Sequence, residues 1–291
     1  MAADALSREG SQDRHIEFEN VVCGIDASPQ SVEAVRQAVA LAPDDARYSG
    51  VAAWDPGLAI HAGVHAAEAM AELREEAASA LARAQAAFPT LNPILMRGAP
   101  VAVLLAAIAN LEADLVSVGS HGLSRAAGVL FGSVATAMAH HAPCSVLVAR
   151  TAQAERFPGL IVHANDGSPE SLDAALVAGR IAARHDSSVV SLHVADTPGA
   201  GAGVAEGSVR LIEATGREPL MRVEHGSPHR RIVEVANETR ASLIVMGSRG
   251  RTGLAALGSV SERVTHSAAC SVLVVRRLSH PVRDTEGEDG S

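Results

Sequence analysis

Val116–Arg150 reads VSVGSHGLSRAAGVLFGSVATAMAHHAPCSVLVAR, and Ile244–Arg276 reads IVMGSRGRTGLAALGSVSERVTHSAACSVLVVR. Both stretches follow one plan: an apolar run, Gly-x-x-Gly, a Gly-Ser pair opening a helical segment, and a second apolar run after a cysteine. A Gly-rich turn leading into a helix aims free backbone N–H groups and the positive dipole end at one point, which suits an anion. The chain therefore reads as two copies of a fold built to hold a phosphate-bearing ligand.

Working outward, 291 residues divide into two domains of about 130 residues, each long enough to bury its own core. The composition is 47% hydrophobic but only 2% aromatic, so Ala, Val, Leu and Ile must fill that core. Apolar β-branched runs alternate with Ala-rich segments, which predicts an α/β fold with two tandem doubly wound domains. The predicted boundaries are a disordered tail over 1–18, a first domain over 19–150, a linker over 151–158, a second domain over 159–277 and an acidic disordered tail over 278–291. In the first domain the predicted strands are Val21–Ile25, Tyr48–Trp54, Pro93–Met96, Leu115–Val118 and Ser145–Ala149. In the second they are Leu160–His163, Val189–Val194, Met221–Val223, Leu243–Met246 and Ser271–Val275. The interleaved helices imply right-handed parallel crossovers. The second copy is abbreviated: 72 positions separate Asp26 from Gly98, but 60 separate Asp166 from Gly226. The shortfall falls where PGAGAGVAEG stands for most of a long helix, and that stretch reads as a mobile loop.

Charge and residue usage exclude several functions. The net charge is −9, and all 24 basic residues are arginine. Without a basic stripe carrying aromatics, a nucleic-acid partner is not expected. A Walker loop needs Gly-Lys-Ser/Thr, which a chain without lysine cannot supply. No apolar run of about 20 residues predicts a membrane span, and the polar N-terminus has no signal core, so a soluble, cytoplasmic protein is expected. Cys23, Cys144 and Cys270 sit in or next to apolar runs and read as small buried side chains.

Each first strand ends in Asp-x-Ser-Pro-x-Ser, at Asp26 and Asp166. Ser28 and Ser168 fit helix N-caps with proline at the first helical position. Ligands in open α/β sheets bind beyond the carboxyl ends of the strands. Each Asp is thus placed to accept hydrogen bonds from a nucleoside, or else only supports its helix start. Gly119 and Gly122 would allow close backbone approach to a ligand, and Gly132-Ser133 would present helix amides and a hydroxyl to phosphate. Ser120, His121, Leu123 and Arg125 lie in the same loop.

Taken together, Gly119-x2-Gly122-x9-Gly132-Ser133, the strand-one Asp-x-Ser-Pro, Asp114-Leu115-Val116 and Cys144-Ser145-Val146-Leu147-Val148 resemble the universal stress protein family over about residues 20–277. The resemblance implies five-stranded parallel sheets of order 3-2-1-4-5, with ATP or a related adenine nucleotide in the pocket. It assigns the nucleoside to Asp26, with Gly24 on the adenine side, and ribose and phosphates to Gly119, Ser120, His121, Gly122, Leu123, Gly132 and Ser133. The second copy offers Asp166, Gly247, Ser248, Arg249, Gly250, Gly258 and Ser259, but only seven residues separate Gly250 from Gly258. That shorter arc favours ATP in the first domain. The family further implies pairing through the last strands, first between the two repeats and then in a homodimer.

The implied function is an ATP-binding protein of stress response with little or no turnover. The alternatives are a nucleotide-free interaction module of the same fold, or an enzyme of the nucleotide-alpha-hydrolase kind. The latter would need a Ser-Gly-Gly-x-Asp-Ser loop after strand one, where Asp26-Ala27-Ser28-Pro29 stands. No Ser/His/acid set is ordered for nucleophilic catalysis, so no catalytic residue is assigned. His61 and His65 stand at metal-ligand spacing but lack a third ligand other than Glu68, so no metal is assigned. His140-His141 reads as a helix C-cap. Glu75-Glu76 reads as a solvated helix face.

Overall fold

The computed structural model describes residues 17–122, 131–151, 156–195, 202–250 and 257–276. The first repeat comprises β1 (Asn20–Ile25), α1 (Pro29–Leu41), β2 (Arg47–Trp54), a 3-10 segment (Pro56–His65), α2 (Ala66–Ala87), β3 (Leu91–Arg97), α3 (Pro100–Asn110), β4 (Leu115–Gly119), α4 (Ser133–His141) and β5 (Ser145–Ala149). The second comprises β6 (Ile161–Asn165), α5 (Pro169–His185), β7 (Val189–Ala195), α6 (Ala202–Glu213), β8 (Leu220–His225), α7 (Pro228–Glu238), β9 (Leu243–Gly247), α8 (Ser259–Ser267) and β10 (Ser271–Val275).

All ten strands form one sheet in the order β3-β2-β1-β4-β5-β10-β9-β6-β7-β8. Each half is parallel and has the expected 3-2-1-4-5 order, because every crossover carries a helix. The halves meet where β5 and β10 run antiparallel, with Leu147 opposite Leu273. The expected pairing of last strands thus occurs within the chain. It also corrects the expectation of a homodimer through those strands: β5 lies between β4 and β10, and β10 between β5 and β9, so neither has an edge left for a second chain.

The central strands β4, β5, β9 and β10 are apolar runs buried on both faces, as parallel sheets covered by helices require. One face is a single apolar layer shared by both repeats, in which Val35 and Ala38 of α1 and Ala174 and Ala178 of α5 belong to one cluster. The other face divides into a cluster under α3 and α4 and a cluster under α7 and α8. Arg150 and Arg276, just past β5 and β10, reach across the junction in mirror fashion. Arg150 donates to the carbonyls of Cys270 (3.2 Å) and Thr265 (2.5 Å). Arg276 donates to those of Cys144 and Ala139. Each guanidinium thus meets one carbonyl in the last turn of the other repeat's last helix, where positive charge is favoured, and one in the turn beyond it. Arg150 has burial as its main perturbation, and its pKa falls to about 10, which leaves it charged at neutral pH.

Ser28 and Ser168 cap α1 and α5 as the sequence predicts, each accepting from the N–H three residues on, with proline in the first turn. The three cysteines are buried free thiols, and burial pushes Cys23 and Cys144 up to about 12. Asp114 ties the start of β1 down, accepting from the N–H groups of Glu19 (2.7 Å) and Asn20 (3.0 Å). In the second repeat Ser242 has this role, accepting from Gly159 N–H at 2.7 Å.

One element departs from expectation. Part of the Gly-rich stretch read as a mobile loop is the start of α6, a regular helix over Ala202–Glu213. Tertiary contact overrides its glycines. Asn165 at the tip of β6 donates its amide to Val204 O (2.9 Å) and Ser208 Oγ (2.8 Å), and Ala205 and Ile212 are fully buried. The preceding residues 196–201 lie outside the described residues.

The same network contains a buried histidine. His163 and Ser191 stand where the first repeat has Cys23 and Gly50. His163 Nε2–H donates to Ser171 O at 2.9 Å, and Ser191 bonds Ser208 at 2.8 Å. Burial lowers the His163 pKa to about 4, so the folded state keeps it neutral while the unfolded chain takes up a proton near pH 6.5. Stability is therefore full above pH 6.5 and falls as pH drops towards 4, by on the order of 3 kcal/mol from this group. In His163→Cys, which copies the first repeat, urea-unfolding free energy should decline less steeply between pH 6.5 and 4 than in the parent. Parallel pH profiles would contradict the assignment.

Candidate functional site

At the carboxyl end of the first repeat's sheet, a cavity of about 370 Å³ opens between β1, β2, β4 and the starts of α3 and α4. β1 delivers Asp26 to its floor. Asp26 Oδ1 accepts from Ser28 N–H (2.9 Å) and Ser28 Oγ–H (2.5 Å), so one carboxylate oxygen is committed to starting α1. The other, Oδ2, faces Gly122: a Cβ built there would lie 2.7 Å from it. The helix-support reading of this residue is thus met by Oδ1, and the nucleoside reading is left to Oδ2.

The loop after β4 owes its glycines to the protein itself. A Cβ on Gly119 would lie 2.9 Å from Gln30 Cβ and 3.1 Å from Gln30 C, where α1 crosses the end of β4. Gly132 N–H donates to Ser120 O at 2.8 Å, and a Cβ there would meet that oxygen at 3.3 Å. Motif spacing assigns these glycines to close approach by a ligand, and contacts to α1, Asp26 and the loop's own backbone also require them. Gly132 N–H bonded to Ser120 O leads directly into α4, whose start faces the cavity. Gly132 precedes α4 with extended backbone (φ −75, ψ 150), and no side chain caps the helix. Ser133, Val134 and Ala135, whose N–H groups have no partner within α4, line the cavity.

Of the predicted residues, Gly24, Asp26, Gly119, His121, Gly122, Gly132 and Ser133 line this one cavity. Ser120 is buried beside it, with Oγ 2.9 Å from His121 Nδ1. Leu123 and Arg125 lie outside the described residues. Sequence reasoning missed the apolar wall. Val51, Leu104 and Val118 come from three different elements and face Gly24, where a Cβ would sit 3.1 Å from Val118 Cγ1 and 3.3 Å from Leu104 Cδ1. It also missed Trp54, Asp55 and Leu58 at the mouth. Glu76, read as part of a wet helix face, lies in the lining too. The chain's one tryptophan, at the carboxyl end of β2, was a signal available in advance. Acidic side chains thus gather at the β1–β2 end, and helix amides at the α4 end.

The second repeat keeps the backbone frame but lines it with larger side chains. Asp166 Oδ1 accepts from Ser168 N–H at 3.0 Å, and a Cβ on Gly250 would lie 2.6 Å from Asp166 Oδ2. Gly247 packs on α5 at Glu170, and Gly258 N–H donates to Ser248 O at 2.7 Å. Strand register, however, puts Ala164 at the position of Gly24, Leu192 at that of Val51 and Met246 at that of Val118. These larger side chains are buried in one apolar cluster with Ile232. Val204 of α6 lies against Gly167, where a Cβ would meet its Cγ1 at 2.9 Å. Ser248 is buried, and Arg249 reaches towards Glu170 at 3.9 Å. Ser259 opens α8, whose first turn carries Glu262, a carboxylate at the place where helix charge favours an anion.

Among the described residues no group of three metal-ligating side chains occurs, and no helix is long and apolar enough to cross a membrane. His65 is exposed and sits 3.0 Å from Glu68. His140 and His141 lie in the last turn of α4, and His140 faces Glu262 of the other repeat at 3.4 Å.

The chain is similar to several known proteins. A universal stress protein of Methanocaldococcus jannaschii is 40% identical over 138 residues, covering 40% of this chain and 81% of that protein. One from Mycolicibacterium smegmatis is 36% identical over 190 residues, covering 58% of this chain; the chain spans 63% of that relative's length. The crystal structure of an Archaeoglobus fulgidus universal stress protein superposes with a TM-score of 0.69 at 22% identity, over 89% of this chain and 99% of that one, and so shares the fold. A universal stress protein crystallised in complex with cAMP is 28% identical, covering 41% of this chain and 98% of that one, with a TM-score of 0.37. The model of the universal stress protein family matches residues 17–150 and again 160–276. With both repeats matched, the chain belongs to the universal stress protein family.

Proposed function

We propose that the chain binds one adenine nucleotide, ATP, in the cavity of its first repeat and acts in stress response as a nucleotide-dependent regulator with little turnover. The observation that carries this reading is the uncapped N-terminus of α4 lining a cavity whose other end is apolar and acidic. Phosphate oxygens suit the amides and hydroxyl of Ser133 and the amides of Val134 and Ala135. The base suits the slot between Val51, Leu104 and Val118 over Gly24, where a side chain would collide with the wall. Asp26 Oδ2 is the acceptor for nucleoside donors. Ala164, Leu192 and Met246 fill the corresponding slot of the second repeat, which supports one nucleotide per chain.

Slow or absent hydrolysis follows from what the phosphate end offers. Phosphoryl transfer is catalysed mainly by cationic clamps and a positioned nucleophile. The chain has no lysine, and among the described residues the phosphate end offers main-chain amides, the Ser133 hydroxyl and His121. Phosphate release from saturating ATP should fall far below the typical enzyme turnover of about 10 s⁻¹.

The test is mass spectrometry of the small molecules released on denaturing the purified protein, alongside titration of nucleotide-free protein with ATP. An adenine nucleotide carried through purification, or saturable ATP binding, is expected. A protein that carries none and gives no saturable signal would instead be an interaction module of the same fold.

A further inference from the structure

Among the described residues the exposed large hydrophobic side chains are Leu58, Leu220 and Met221. Leu58 belongs to the mouth of the cavity. The other two are adjacent on β8, the strand at one edge of the ten-stranded sheet, with 65% and 45% of their surface exposed. The opposite edge, β3, is protected differently. Strand register places Asn92 and Pro93 of β3 where β8 has Leu220 and Met221. A proline is a common guard against edge-to-edge pairing, and an exposed apolar edge without one is open to it.

Pro93 also reveals which groups β8 leaves free. The β2–β3 pairing continues across it from Leu91 to Arg97. Its missing N–H is therefore at a position that points away from β2. By the same register Met221, Val223 and His225 turn their N–H and C=O groups away from β7, to the side where no described strand lies. Two copies related by a two-fold axis can pair these edges only antiparallel. With the axis at Val223, Met221 stands opposite His225 of the second copy, and all three outward residues fall in hydrogen-bonded pairs. In that register Arg222 stands opposite the second copy's Glu224, twice by symmetry. Shifting by two residues either way sets Arg222 on Arg222 or Glu224 on Glu224, so charge selects the first arrangement.

We infer that β8 is the interface for a second copy of this chain, joined antiparallel about Val223 into one sheet of twice the width. Arg222 and Glu224 already bond within the chain at 2.6 Å, and Glu224 also holds Arg231 at 2.7 Å. The second copy extends this into an alternating row of charges on the face that carries Leu220. A single strand edge is small beside the roughly 1,200–2,000 Å² of stable interfaces, so the dimer is concentration-dependent.

The test is sedimentation velocity on the full chain from about 1 to about 200 µM, a range suited to a small interface. The parent chain should pass from monomer to dimer. Leu220→Asn with Met221→Pro, which transplants the edge of β3, should stay monomeric with an unchanged circular dichroism spectrum. Val223→Cys provides a readout that does not depend on that variant folding. Directly opposed residues of a hydrogen-bonded pair have Cα atoms about 5.5 Å apart, within disulfide reach. The oxidised variant should therefore run as a covalent dimer that reductant separates. A parent chain monomeric throughout, a folded Asn/Pro variant that dimerises unchanged, or a Val223→Cys chain that does not cross-link at dimer-forming concentration would overturn the inference.

Discussion

A chain carrying Gly24→Ala, Val51→Leu and Val118→Met should lose adenine-nucleotide affinity by about 100-fold, some 2.7 kcal/mol, while remaining folded. The three changes transplant residues of the second repeat, where Ala164, Leu192 and Met246 pack in one buried cluster. In the first repeat a methyl on Gly24 would stand 3.1 Å from Val118 and 3.3 Å from Leu104, closer than a comfortable contact. Either the wall retreats or the slot closes, and the longer side chains at 51 and 118 take up the space a base would need. Core substitutions that add methylenes typically cost 1–3 kcal/mol in stability, a loss an α/β domain of this size can carry. Calorimetric titration with ATP reads the affinity, and thermal melting reads the fold. Near-parental affinity in the folded variant would place the base elsewhere.

The second large effect carries opposite signs in its two readouts. Ser133→Asp puts a carboxylate in the first turn of α4, beside N–H groups that no side chain caps. A negative charge there complements the helix dipole and should leave stability equal or raise it by about 0.5 kcal/mol. The same charge repels a triphosphate and competes for its amides, so ATP affinity should fall about 100-fold or more, given that hydrogen bonds involving charged groups contribute about 1.5–3 kcal/mol each. If Ser133→Asp melts no lower than the parent and still binds ATP equally well, the phosphates do not sit on α4.

The contrast between the repeats explains what the sequence could and could not reveal. The order 3-2-1-4-5 in each half, the caps at Ser28 and Ser168 and the joining of β5 to β10 were legible. The caps rest on local Asx and serine patterning, whereas the strand order and the β5–β10 junction came with the family resemblance and not from periodicity. The glycine positions were legible as well, but not the reason for them. That Gly119 clears Gln30 and Gly122 clears Asp26 needs the packing of α1 on β4, which motif spacing does not encode. The slot was invisible because Val51, Leu104 and Val118 look like ordinary core residues until three elements bring them together over Gly24. α6 was hidden for a related reason. Its glycines argue against a helix, and the side chain that anchors it, Asn165, lies in a strand far back in the chain.

The central claim is that the two repeats share a frame but differ in room, so that a chain with two signatures holds a single nucleotide. Isothermal titration of nucleotide-free full-length protein with ATP tests it most directly. One site per chain is the predicted stoichiometry, abolished by Ser133→Asp and left intact by the corresponding Ser259→Asp. Two sites per chain, or a single site that survives Ser133→Asp and disappears with Ser259→Asp, would contradict it.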